Sequence, residues 1–158
     1  MPPHEQDPHA DELPLSLLML IAHRSAENRI HAAVRTAGFD SMTHAQGRLL
    51  AGMEPGGSRI SLLAERAQIT KQTATALIDR LEAAGYVTRV PDPSDGRARI
   101  VTFTDRAWAM VPVARAEEQR IEAEWRAHLG GASMDALRSA LETLRAITDP
   151  YLADEPGR

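Results

Sequence analysis

The sequence contains no cysteine. That absence excludes disulfides, thiolate metal sites and cysteine-based redox sensing. The six methionines are left as the oxidisable residues, and methionine serves mostly as a filler of irregular core gaps. There is also no run of 18 apolar residues, and the first residues lack the charged, apolar and small-residue order of a secretory leader. A soluble, cytoplasmic protein without membrane contact is therefore expected. Nor is there a nucleophile elbow, a phosphate-binding glycine loop, a His-Glu-x-x-His pair or a paired acid motif, so the chain reads as a non-enzyme with no cofactor and no metal. Glu124 and His128, four apart, come nearest to a ligand pair, and on an exposed helix they read as ordinary surface residues.

What is present centres on residues 60–85, which read as a helix, a tight turn and a second helix. In the first helix Leu62, Leu63 and Ala67 keep an apolar spacing of three to four. In the second, Ala74, Leu77, Ile78, Leu81 and Ala84 fall on one buried stripe. The opposite start of that helix carries Lys71, Gln72, Thr73 and Thr75, one cation and short polar groups at a positive helix end. Ser61 and Thr70 are placed to cap the two helices.

Two β-branched runs follow, residues 86–90 and 99–104, separated by the turn-rich stretch 91–98. They read as two strands of a ribbon with Arg97 and Arg99 at or beside its tip. A helix-turn-helix running directly into such a ribbon is a winged helix. The fold class expected is mainly α with a small β-wing, flanked by N- and C-terminal helices.

These pieces resemble the MarR family of bacterial transcription regulators. The resemblance is carried by Leu63, Ala64, Glu65 and Arg66, by residues 70–81 ending in Asp79, Arg80, Leu81 and Glu82, and by Gly85, Tyr86 and Val87. The wing adds Asp95, Gly96 and Arg97 followed by Val101, Thr102, Phe103 and Thr104. Upstream, Gln46, Arg48, Leu49 and Leu50 look like the family's second helix. The order of these pieces covers residues 13–149. Two positions depart from the pattern: Gln68 stands where a small turn residue is common, and Gly47 stands inside a helix where a bulky one is.

Around this segment, residues 1–12 are rich in proline, acid and histidine and read as a disordered arm. A long helix is expected over residues 15–38, with an apolar stripe that changes sides. Leu17, Leu20 and Ile21 define one face, and Ile30, Ala33, Val34 and Ala37 the other. Thr43 caps a helix over 43–53, stopped at Glu54, Pro55, Gly56 and Gly57. After the wing, Thr104 or Asp105 caps a helix running to Leu129, Gly130 and Gly131 end it, and a last helix covers 133–149 before a short tail, 150–158. The expected organisation is one domain over 13–149, with a winged helix at 40–105 and dimerisation helices at 13–38 and 105–149. Three amphipathic helices carry more apolar surface than one winged-helix lobe covers, so a homodimer is expected. A two-fold dimer sets two recognition helices on an inverted repeat of double-stranded DNA.

A formal net charge of −4 fits this once divided along the chain. Residues 58–106 hold eight Lys and Arg against six acids, and the remainder holds ten against sixteen. The cations gather where a groove would lie. The residues expected to meet DNA are Ser61, Thr70, Lys71, Gln72, Thr73, Thr75, Arg80, Asp95, Arg97 and Arg99. Gln72 has the amide for a bidentate pair with adenine, Thr73 and Thr75 can bond a base or phosphate or set a methyl on thymine, and Lys71 suits a phosphate. By resemblance, Arg97 enters the minor groove and Asp95 orients the wing by pairing with Arg97 or Arg80. The resemblance also implies a repressor relieved by a small aromatic or phenolic effector, in a pocket reached by His23, His31, Phe39, Met42, His44 and Trp108, with Gly47 leaving space. The alternative reading is a winged helix used as a protein-protein module, which the net acidity favours.

Overall fold

A computed structural model describes residues 12–151. The arm at residues 1–11 and the tail from 152 onward, with His4 and His9, lie outside them. Eight elements follow in order: α1 (Leu15–Thr36), α2 (His44–Ala51), α3 (Ile60–Arg66), α4 (Lys71–Ala83), β1 (Val87–Asp92), β2 (Asp95–Phe103), α5 (Asp105–Leu129) and α6 (Gly131–Thr148). The chain divides into two compact units, residues 1–117 and 118–158.

In the first unit the apolar stripes of α2, α3 and α4 meet around Leu49, Leu63, Ile78 and Leu81, all without exposed surface. Each such aliphatic side chain stabilises the fold by about 1.5–3 kcal/mol relative to leaving it in water. Tyr86 closes this core just after α4. Its ring is fully buried, lies 6.3 Å from Phe39 and carries the Arg106 guanidinium 4.5 Å above its centroid. The Ser41 hydroxyl donates to its phenolic oxygen at 3.3 Å.

Three of the expected caps are present, among them Thr104, whose hydroxyl accepts from Ala107 N–H at 3.4 Å at the start of α5. The Thr43 hydroxyl accepts from Gln46 N–H while the Gln46 side chain accepts from Thr43 N–H, a reciprocal capping box that explains why Gln46 is buried. Thr70 accepts from Thr73 N–H at 3.1 Å and so caps α4. Ser61 is not a cap: α3 begins at Ile60, its N-cap is Arg59, and no side chain bonds there. The stripe of α1 does change sides. Val34 is buried and Ile30 and Ala33 are half-buried, whereas Leu17, Leu20 and Ile21 face solvent.

The wing is longer than the sequence suggests. β1 and β2 pair antiparallel from Val87 opposite Phe103 to Pro91 opposite Arg99, and the pairing shifts so that Asp92 faces Asp95. Pro93 and Ser94 alone make the turn, and Gly96, Arg97 and Ala98 bulge from β2. Pro91, Asp92, Asp95 and Gly96 look like loop residues locally, yet cross-strand pairing holds them in the ribbon. Ser58 adds a single bridge to Val101. Gly57 makes that approach feasible: its φ is +96°, and a Cβ there would lie 2.8 Å from the Val101 carbonyl oxygen.

Between α3 and α4, Gln68 takes a φ of 55°, the one non-glycine residue at positive φ among those described. This is the position where the resemblance placed a small residue. The left-handed conformation costs an L-residue about 1–2 kcal/mol, part of which the bond from Gln68 Nε2 to Glu65 O offsets. Gln68→Gly should therefore leave the unfolding free energy unchanged or raise it by up to about 1 kcal/mol, while Gln68→Val should lower it by at least about 1 kcal/mol. Urea denaturation of the two variants measures both.

In the second unit, Ile121 of α5 and Met134 of α6 are buried. Arg126 pairs with Asp135 at 2.6 Å and Arg138 with Glu122 at 2.7 Å. α6 leaves Leu137, Leu141 and Ile147 exposed, the last by 84%.

Candidate nucleic-acid interface

The buried residues of α4 are Ala74, Ile78 and Leu81. At 100° per residue, the direction opposite them is occupied by Gln72, Ala76 and Ala83, all exposed. Lys71, Thr73 and Arg80 are exposed to either side of this line, and Thr75 is half-buried. Hydroxyl groups are less available here than the sequence suggests. Thr70 Oγ1 caps the helix and lies 2.9 Å from Thr73 Oγ1, and Thr75 donates its proton to the Lys71 carbonyl at 2.8 Å. Thr70 therefore serves the helix end. Gln72 keeps its amide in solvent at the centre of the outward face.

The cations of the segment separate into two sets. Arg59 pairs with Asp92 at 2.7 Å, Arg66 with Glu54 at 2.8 Å, and Arg89 with Asp79 at 2.6 Å and with Glu82. Arg106 donates to the Ala84 carbonyl beneath its Tyr86 contact. These hold the lobe together. Lys71, Arg80 and Arg97 instead point exposed side chains away from it, the first two on α4 and the third in the bulge of β2. Arg99 is intermediate: it is exposed, but its Nη2 donates to the Arg89 carbonyl at 2.6 Å and steadies the ribbon.

Asp95 has different partners from those expected. Its carboxylate accepts from the backbone N–H of Arg97 at 3.1 Å and faces Arg59 at 3.6 Å, with no bond to the Arg97 or Arg80 side chain. The hub is Asp92, which the sequence reading passed over. It accepts from the Ser94 hydroxyl at 2.7 Å, the Ser94 N–H at 2.8 Å and Arg59 Nε at 2.8 Å. Thus one arginine at the start of α3 ties the helix-turn-helix to the wing turn. The Ser94 hydroxyl, the Ser94 N–H and Arg59 hold the Asp92 carboxyl down from the usual 3.8 to about 2. A carboxyl depressed in the folded state contributes stability that is present above its unfolded pKa and lost as pH falls through the folded one. Melting temperature should therefore drop between about pH 4 and pH 2, and the drop should be shallower in Asp92→Asn.

The residues expected around an effector do not all meet. His31, Phe39, Met42 and His44 gather at the α1–α2 corner. There the two imidazoles stack with centroids 3.9 Å apart, His31 Nε2 bonds to the Met42 carbonyl at 2.8 Å, and His44 Nε2 bonds to Asn28 at 3.0 Å. Beside them Arg48 forks onto Glu27 and lowers its pKa. One ring nitrogen of each imidazole is thus engaged within the corner. His23 is exposed, and Trp108 packs edge-on against Phe103 at 5.1 Å. Gly47 is half-buried and has nothing within 4 Å of where its Cβ would be. A separate open cleft of about 450 Å³ lies between the 54–58 loop, the start of α3 and the wing turn, lined by Arg59, Ser61, Asp92 and Ser94 among others.

A two-helix unit with an outward polar second helix, followed by an antiparallel ribbon tied back to the first helix, defines a winged helix-turn-helix protein. Residues 40–98 match the model of the MarR family. An HTH-type transcriptional regulator of Mycobacterium tuberculosis and an uncharacterized one of Mycobacterium bovis are each 34% identical over 97 residues, covering 61% of this chain and 64% of theirs. The matched region thus spans less than two thirds of those relatives. The transcriptional activatory protein BadR of Rhodopseudomonas palustris is 28% identical over 130 residues, covering 77% of this chain and 71% of that protein. Among solved structures, a MarR crystal structure superposes with a TM-score of 0.65 at 28% identity, covering 85% of this chain and 96% of that one. The reduced form of MarR from E. coli gives 0.68 at 21%, covering 84% and 96%. Over residues 40–98 the chain is thus similar to the MarR family, and it shares the winged-helix fold of these structures.

Proposed function

We propose that the protein is a homodimeric transcription regulator that binds double-stranded DNA at an inverted-repeat operator. The observation that carries this is the division of its cations: within residues 58–106, those not needed by the lobe are Lys71 and Arg80 on α4, the helix that exposes Gln72, and Arg97 in the wing bulge. Arg97 supplies charge to a groove and Gln72 supplies base reading. The names of its relatives support regulation but not its sign, since they include both an activatory protein and a repressor. Repression relieved by a small aromatic or phenolic ligand is the form carried by the family resemblance.

The apolar face of α1 supports the dimer. Leu17, Leu20 and Ile21, within about 100° of arc on α1, are between 38% and 51% exposed, apolar surface of the kind that marks protein-protein contact. Two substitutions test the DNA interface. Arg97→Ala should weaken binding to all duplexes and reduce the slope of log affinity against log salt by about 1. Gln72→Ala should cost about 1–3 kcal/mol, chiefly at one base position. Titration of both variants on a selected operator at several salt concentrations reads the two effects apart. Parental binding by both would contradict the interface and favour a protein partner for the winged helix.

A further inference from the structure

The centre of the outward face of α4 is shared by a polar residue and an apolar one. Gln72 and Ala76 are four residues apart on the same line and both are exposed. Thr75 stands beside them with its proton committed to the Lys71 carbonyl at 2.8 Å. What this face presents one turn beyond the Gln72 amide is therefore the Ala76 methyl, with the Thr75 hydroxyl proton already committed. Further along, Asp79 is held by Arg89, and Ala83, on the same line, lies at the far end of the helix. The base-reading part of α4 is thereby confined to its first two turns.

A methyl on a recognition helix has one distinctive counterpart in the major groove, the C5-methyl of thymine, whose edge otherwise offers only the O4 acceptor. The rise between Gln72 and Ala76 is about 6 Å at 1.5 Å per residue, and successive base pairs are about 3.4 Å apart. The two side chains therefore reach bases within about two steps of each other. Alanine also lets the helix approach closely, because a longer side chain at the centre of the face would hold it off the base edges.

We propose that Ala76 reads the C5-methyl of a thymine lying within about two base pairs of the base contacted by Gln72. This rests on the DNA-binding reading above and adds to it the identity of one position in each half-site.

Replacing thymine by uracil removes that methyl and leaves every hydrogen-bonding group in place. The test is an anisotropy titration of the full-length protein on its selected operator, with uracil substituted at one thymine position of each half-site at a time. The parent should lose about fourfold in affinity at one position, the worth of one buried methyl-sized group. Ala76→Gly should bind thymine and uracil equally there while retaining its response to changes at the Gln72 base. Should glycine weaken α4, which the thermal melt of the variant reveals, Ala76→Ser replaces the apolar contact with a hydroxyl and should show the same loss of discrimination. Indifference of the parent to uracil at every position, with full binding to the thymine operator, would overturn this inference and leave the regulator reading standing. Discrimination that persists in both Ala76 variants would assign the methyl contact elsewhere and also overturn it. Failure to retain any duplex would overturn the regulator reading and this inference together.

Discussion

Tyr86→Ala is expected to lower the unfolding free energy by about 3–5 kcal/mol, the range for removing a large buried ring whose surroundings relax only partly. The ring is fully buried at the junction of α4 and β1. Its backbone is bonded as well, since Tyr86 N–H donates to Leu81 O at 2.9 Å and Thr104 N–H donates to Tyr86 O at 3.1 Å. Truncation would empty the space between Phe39 and Arg106 and release the arginine from its seat over the ring. Tyr86→Phe keeps the ring and the cation above it and loses only the long bond from Ser41, so it should cost about 1 kcal/mol or less. Urea denaturation of the three proteins at neutral pH measures the series. An alanine variant as stable as the phenylalanine variant would contradict the packing described here.

The second large effect concerns assembly. Leu17→Glu combined with Ile21→Glu places two charges on the exposed apolar face of α1, where both parent residues are over a third exposed. Neither side chain belongs to the core of the first unit, so the melting profile of the winged-helix lobe should change little. A charge buried without a partner at an interface is strongly unfavourable, so the double variant should be monomeric by sedimentation. Affinity for a two-half-site duplex should then fall by roughly a hundred- to ten-thousand-fold, the gain that tethering two binding modules supplies. Binding to an isolated half-site should be unaffected. A double variant that sediments as the parent does would show that this face is not the one covered in the dimer.

Much of this architecture is legible in the sequence because it depends on local pattern. The apolar stripe of α4, the side-switch of α1 and the threonine caps at positions 43 and 70 are set by residues within one or two helical turns of each other. What escapes local reading depends on distant partners. Asp92 and Arg59 are 33 residues apart, and nothing in the spacing of either indicates that they meet. Pro91, Asp92 and Gly96 carry turn-like preferences that pairing with β2 overrides. Ser61 has the chemistry of a cap, but α3 begins one residue earlier, which moves its hydroxyl past the helix end. Ala76 escaped notice because alanine carries no functional group. The role proposed for it rests on its angular position opposite Ala74, Ile78 and Leu81. Gln68 could be noticed as a departure, but its positive φ follows from the tight joint that α3 and α4 must make.

The same distinction applies to charge. Counting cations over residues 58–106 points to the winged-helix lobe, yet much of that count is engaged inside it, on Asp79, Glu82, Asp92, Glu54 and backbone carbonyls. The cationic side chains not engaged in this way are those at positions 71, 80 and 97, with part of Arg99. That redistribution makes the expected salt dependence modest for each half-site and places much of it on the wing.

The measurement that bears most directly on the proposed function is selection of the purified protein against a random duplex pool at near-physiological salt, followed by sequencing of the retained molecules. The account predicts enrichment of an inverted repeat with half-site centres about 10 base pairs apart, or a whole multiple of a helical turn. Retention of no sequence above the input, by protein that is folded and dimeric in the same sample, would contradict it.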